Sequence, residues 1–114
     1  MWFDEDGVFR SVTKKDKTVD KQAMQITFDY IHQFKCSEKI CWIGDITNAS
    51  PVEKEARAYA AEETPKFIRA LAVITNSSVS KMMADLFLLV YKPPYPTKLF
   101  TNEKDAKEWI KRFL

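Results

Sequence analysis

Apolar positions along the chain change period several times, and each change marks an element. Trp2-Phe3, the polar run Asp4-Glu5-Asp6-Gly7 and then Val8-Phe9-Arg10-Ser11-Val12-Thr13 predict a hairpin, because Asp-Gly supplies the positive φ of a tight turn. After Lys14-Lys15-Asp16-Lys17, Thr18 is the expected cap of a helix reaching Lys35, with Ala23, Ile26, Tyr30, Ile31 and Phe34 on its inner stripe. Ile40-Cys41-Trp42-Ile43-Gly44 is a short unbroken apolar run ending at Asp45, the pattern of a central parallel strand.

Ser50-Pro51-Val52-Glu53 combines a capping hydroxyl, a proline at the first helical position and a glutamate three residues on, and so predicts a helix from Pro51. Its stripe is Val52, Ala56, Tyr59 and Ala60, with Thr64-Pro65 ending or bending it. A further apolar strand, Ala70 to Thr75, leads to Asn76-Ser77-Ser78 as the cap of a helix bearing Val79, Met82, Met83, Leu86, Phe87 and Val90 on one face. Leu88 and Leu89 exceed that face. Pro93 and Pro94 cannot continue a helix, which makes Lys92 about its last residue and Tyr91-Lys92-Pro93-Pro94-Tyr95-Pro96 primarily a stop signal. Thr97 to Thr101 is a last short strand, and Thr101 or Asn102 caps a final helix whose stripe is Ala106, Trp109, Ile110, Phe113 and Leu114.

The order is β-β-α-β-α-β-α-β-α. Strands alternating with helices imply right-handed crossovers, hence an α/β fold with a mixed, mostly parallel sheet, an N-terminal antiparallel hairpin and four helices. With 114 residues, 46% of them apolar, one domain over residues 1–114 is expected, with a core that needs no metal or disulfide. Eighteen basic against 16 acidic residues leave a net charge of +2, too small a field to recruit nucleic acid or anionic lipid. The acidic start and the lack of an apolar run of about 18 residues predict neither a leader nor a membrane span, and a cytoplasmic location.

This element order, with Asp45-Ile46-Thr47-Asn48 after the third strand, Glu55-Ala56-Arg57-Ala58-Tyr59, the loop Lys92 to Thr97 and the ending Phe100-Thr101 to Trp109-Ile110, resembles the STAS domain. STAS domains form bacterial anti-sigma-factor antagonists and the cytoplasmic tail of sulphate transporters. The resemblance is greater to a group of small bacterial STAS-like proteins of uncharacterised function. It implies a non-catalytic regulatory or interaction module that binds a protein partner or small ligand through the loop after the third strand and the following helix. The alternative is a carrier of a small molecule or lipid, or an enzyme of unknown reaction.

In the antagonists an Asp-Ser pair followed by glycine carries a phosphorylated serine, and the corresponding region here is Asp45 to Glu53. Ser50 is followed by Pro51 within a capping box and no glycine follows, so capping and phosphoacceptor roles both stay open. Asp45, Asn48, Ser50, Glu53 and Arg57 are the candidate contacts of this loop and helix. Asn76, Ser77 and Ser78, with Thr75 and Lys81, form the most ligand-like cluster elsewhere, since hydroxyls and N–H groups at a helix start can receive an anion.

His32, Cys36 and Cys41 fall short of a four-ligand zinc site, and no base is positioned by the sequence to activate either thiol. Gly7 and Gly44 are the only glycines, which excludes a glycine-rich phosphate loop. No metal or cofactor is expected. The excess apolar surface of the helix from Ser77 to Tyr91 predicts a weak homodimer or partner site formed by Leu88, Leu89, Tyr91 and Tyr95. Coverage by Trp109 and Phe113 of the last helix is the competing expectation.

Overall fold

The computed structural model describes residues 1–13, 20–34, 39–48 and 53–114. Strands β1 (Trp2–Phe3), β2 (Phe9–Val12), β3 (Ile40–Asp45), β4 (Ile68–Ile74) and β5 (Thr97–Phe100) lie in that spatial order. β1 is antiparallel to β2 and every other pair is parallel, the mixed sheet expected from the element order. The hairpin turns at Gly7, whose φ is 79°, and the Asp4 carboxylate accepts from the N–H groups of Asp6 and Val8 at 2.9 and 3.0 Å.

Helices α1 (Lys21–Phe34), α2 (Lys54–Glu63) and α3 (Ser78–Tyr91) each connect neighbouring parallel strands, and α4 (Glu103–Ile110) follows the last one. Right-handed crossovers between strands taken in sequential order place the first three helices on one face. α4 returns over the other. Val8, Cys41, Ile43, Ala70, Ala72 and Ile74 pack beneath Ala106 and Ile110 of α4. Opposite them, Phe9, Ile40, Phe67 and Ile68 pack with Phe28 and Ile31 of α1. Both Ile40 and Ile68 face this second core because the β3–β4 register shifts between Ile40 and Cys41, leaving Arg69 exposed.

Several boundaries differ from expectation. Asp20 caps α1, its Oδ1 accepting from Ala23 N–H at 2.8 Å; Thr18 lies outside the described residues. Ile26, expected on the inner stripe, is exposed, and Phe28 takes the buried position, since the stripe turns by about 100° per residue and Ile31 fixes its direction. α2 runs from Lys54: Glu53 is its N-cap, with ψ of 147° and no side-chain capping bond, and its carbonyl accepts from Arg57 N–H at 3.0 Å. Lys54-Glu55-Ala56-Arg57-Ala58 are strong helix formers, and the helix starts with them. The Glu53 limb of the expected capping box is therefore not in the third helical position. Ser50, Pro51 and Val52 lie outside the described residues.

α3 ends at Tyr91, and Lys92 takes a left-handed φ of 42° before Pro93, so the stop signal acts as a C-terminal cap followed by proline. Asn102 caps α4, accepting from Asp105 N–H at 2.9 Å. The chain tightens to a 3₁₀ turn over Lys111–Phe113, which rotates Leu114 out of the expected stripe into solvent. Trp109 and Phe113 pack on the α4 face, with ring centroids 4.9 Å apart. They stand across the sheet from α3, so the expectation that they cover Leu88 or Leu89 is not met.

Candidate functional site

Two predicted residues meet at the carboxyl ends of the parallel strands, where open α/β sheets place ligands. Asp45 ends β3 and Asn76 follows β4, and both line a polar crevice against the start of α4. No local pattern marks the other members, Arg10 and Glu103, which lie far apart along the chain. Arg10 is buried, donates to Asp4 Oδ2 at 3.5 Å and pairs with Glu103 at the crevice edge. The Arg10 guanidinium holds the Glu103 carboxyl below its ordinary range. With both carboxylates already on Arg10, the crevice is an internal ion-pair network that ties the hairpin to α4.

The loops beside it use their own polar groups. Asp45 Oδ1 accepts from Thr47 N–H at 2.9 Å, and Thr47 Oγ1 accepts from Asn76 N–H at 3.1 Å, which locks the β3 loop to the β4 loop. Ser77 N–H donates to Thr75 Oγ1 at 3.3 Å, and that hydroxyl donates to Ser77 O at 3.2 Å. Ser78 and Lys81 of the anion-binding expectation are exposed, as are Asn48, Glu53 and Arg57 of the β3 loop and α2. The structure thus joins Asp45 to Asn76 but does not gather the eight described candidate residues into one site; the ninth, Ser50, lies outside the described residues.

The thiol of Cys41 is buried and donates to Phe113 O at 3.8 Å. Burial pushes its pKa up, against the weaker opposite pull of Arg69, and holds the thiol form, which is a poor nucleophile. His32 packs its ring edge-on against Phe67 at 4.9 Å. Cys36 lies outside the described residues. Among the described residues no cluster of three or more metal-ligating side chains occurs.

α3 departs most from ordinary packing. Its sequence, Ser-Val-Ser-Lys-Met-Met-Ala-Asp-Leu-Phe-Leu-Leu-Val-Tyr, is the most apolar of the helices, yet none of its described side chains is buried. Val79, Met82, Leu86, Leu89 and Val90 are all more than half exposed, Leu89 and Val90 at 68% and 69%. At 100° per residue these five fall within an arc of about 100°, with exposed Lys81, Asp85 and Lys92 along one edge and half-buried Met83 and Phe87 along the other. Of the expected interface, Leu89 belongs to this stripe, whereas Leu88 and Tyr91 lie on the half-buried side of the helix. Tyr91 stacks obliquely on Phe87 at 4.8 Å, and Tyr95 packs against the core beneath α1 and α2.

Beneath α3 lies a cavity of about 330 Å³. Its floor is Trp42 and Gly44 of β3 with Leu71 and Val73 of β4, and Phe28, Ala60 and Phe87 contribute one wall each from α1, α2 and α3. Gly44 keeps the floor low: a Cβ there would come within 3.3 Å of both Ser11 Oγ and Trp42 Nε1, which are themselves hydrogen-bonded at 2.9 Å. Tyr95 closes the α2 end, its hydroxyl pushed up to about 12 by burial while Thr64 pulls the other way.

Residues 1–114 match the family described as Domain of unknown function (DUF7793), and the chain belongs to that family. No curated protein matches the sequence. Among solved structures it is similar to an uncharacterised protein of the DUF3478 family with a SpoIIAA-like fold from Shewanella loihica PV-4, at 14% identity and a TM-score of 0.59, over 90% of this chain and 81% of that one. The fold is therefore STAS-like, as the element order implied. Among the described residues no helix is long and apolar enough to cross a membrane.

Proposed function

We propose that this STAS-like domain is a non-catalytic interaction module that associates through the outer stripe of α3, with a second copy of the chain as the occupant. The observation that carries the reading is the exposure of Val79, Met82, Leu86, Leu89 and Val90 on one side of a helix that buries none of its described side chains. A contiguous apolar surface bordered by charge is the mark of a docking site. The rim carries both signs, Lys81 and Lys92 with Asp85, so two copies of the stripe do not present matched like charges. A net charge of +2 opposes their approach only weakly.

The Asp45–Asn76 region supports this function structurally, by fixing the start of α3 against the β3 loop through the Thr47–Asn76 bond. Sedimentation across the widest attainable concentration range tests the proposal. Wild type is expected to show reversible association, and Leu89→Glu to remain a monomer with an unchanged melting temperature. A wild type that stays monomeric throughout, or a Leu89→Glu variant that melts markedly lower without any change in association, would overturn it.

A further inference from the structure

The underside of α3 poses a separate question, because an apolar space of this volume does not stay empty without cost. The space is partly open to solvent, so its apolar lining stays in contact with water, at a cost that an apolar occupant would remove. Solvent is a poor filler here, since a bound water needs two to four polar partners. The lining hydroxyls are those of Ser11, Thr13, Thr27 and Thr64, and two of them already hold a partner, Ser11 Oγ accepting from Trp42 Nε1 at 2.9 Å and Thr27 Oγ1 donating to Ala23 O at 3.1 Å. About 330 Å³ lies within the range of small-molecule sites, which run from roughly 300 to 1,000 Å³.

We infer that the cavity beneath α3 is a binding site for a neutral, apolar small molecule, held against Phe28, Trp42 and Phe87. Charge argues for neutrality. Apart from the α-amino group of Met1, the described residues that line the space carry no charged group, so a carboxylate or ammonium held deep against Phe28 and Trp42 would be desolvated with no side-chain ionic partner among them. Shape argues that the site belongs to the fold: Gly44 supplies the depth, and the aromatic ring of Phe28, packed edge-on against Trp42 at 6.3 Å and Phe67 at 4.9 Å, is too tightly held to collapse inward. α3 thereby serves two surfaces, an inner one for a ligand and an outer one for a partner, on opposite sides of one helix.

The test uses the full chain, the neutral dye N-phenyl-1-naphthylamine as fluorescent probe, and 1-decanol and decanoate as competitors at a pH where decanoate is ionised. Wild type is expected to enhance the dye at one site per chain, and decanol to displace it at least tenfold more effectively than decanoate. Ala60→Phe, which projects a ring into the cavity from α2, should weaken dye binding at least tenfold. Should that variant not fold, Thr27→Leu from α1 reads out the same obstruction. Absence of dye binding, or decanoate competing as well as decanol, overturns the proposal. A dye signal that responds to Leu89→Glu and not to Ala60→Phe would place the dye on the outer stripe and overturn it equally.

Discussion

α4 and α3 cover opposite faces of the same sheet, and the less apolar of the two is the one that is buried. α4 is a short helix of eight residues with five charged side chains, yet Ala106 and Ile110 are almost fully enclosed. α3 has 14 residues and far more apolar surface, and buries no described side chain. The difference lies in what each meets. Under α4 the sheet presents Ala70 and Ala72, both completely buried, and Ala106 adds a third small contact, so helix and sheet approach closely. On the other face the core is built from bulky rings, Phe28, Trp42, Tyr59 and Phe67, with centroids 4.9 to 6.3 Å apart, and α3 adds no described buried side chain to it. Small residues let α4 dock closely, whereas the aromatic face buries α1, through Phe28 and Ile31, and not α3. Burial follows from that complementarity and not from the apolar content of the helix.

The largest effect that can break this comparison is truncation of one residue on each helix. Ile110→Ala should cost about 2–5 kcal/mol, the range for a buried aliphatic truncated to alanine. Leu89→Ala should change the stability of the monomer by no more than about 0.5 kcal/mol. Chemical denaturation at low protein concentration checks both, and equal losses would mean that α3 is a core helix like α4.

How α3 ends sharpens the same contrast. Lys92 holds a φ of 42°, a conformation that costs a side-chain-bearing residue about 1–2 kcal/mol. Lys92→Gly should therefore raise stability by about 0.5–1 kcal/mol once the greater freedom of glycine in the unfolded chain is counted. A lower melting temperature for Lys92→Gly would show that the lysine side chain makes a contribution that the turn does not explain.

Element order, sheet type and the turn at Pro93 were legible because they rest on local rules: an Asp-Gly turn, apolar runs of strand length, and proline's missing N–H. The partner of each apolar stripe was not. Nothing in the spacing of Val79, Met82, Leu86 and Val90 distinguishes an inward from an outward face when Met83, Phe87 and Leu88 make the other side apolar as well. Choosing between them required the crossover handedness and the aromatic packing of α1 on β3. Arg10 and Glu103 were missed for a similar reason, since 93 positions separate them and only the return of α4 brings them together. Ile26 is exposed where an inward position is expected, because Ala23, Ile26 and Tyr30 form an apolar series that competes with the Phe28–Ile31 series actually turned to the sheet.

The smallest expected effect concerns pH. Arg10 lowers the Glu103 pKa in the folded state, so this contact stabilises the domain above the ordinary glutamate value of about 4.3 and is lost as pH falls through the lowered folded value. Glu103 is largely solvated, which limits the contribution to at most about 1 kcal/mol. Glu103→Gln should accordingly lose less stability than wild type on acidification below that value, while Leu89→Gln on the α3 side should leave the acid profile unchanged. Identical acid profiles for wild type and Glu103→Gln would remove the ion pair from the α4 side of the comparison.

Amide hydrogen exchange followed at low and at high protein concentration tests most directly whether α3 is a docking helix and α4 a core helix. The backbone amides of Ala106 to Ile110 should show strong protection that does not depend on concentration, because their packing lies within one chain. Those of Met82 to Val90 should exchange faster in the dilute protein and gain protection as concentration rises and the outer stripe is covered. Protection of Met82 to Val90 equal to that of α4 at every concentration would contradict the account and return α3 to the core.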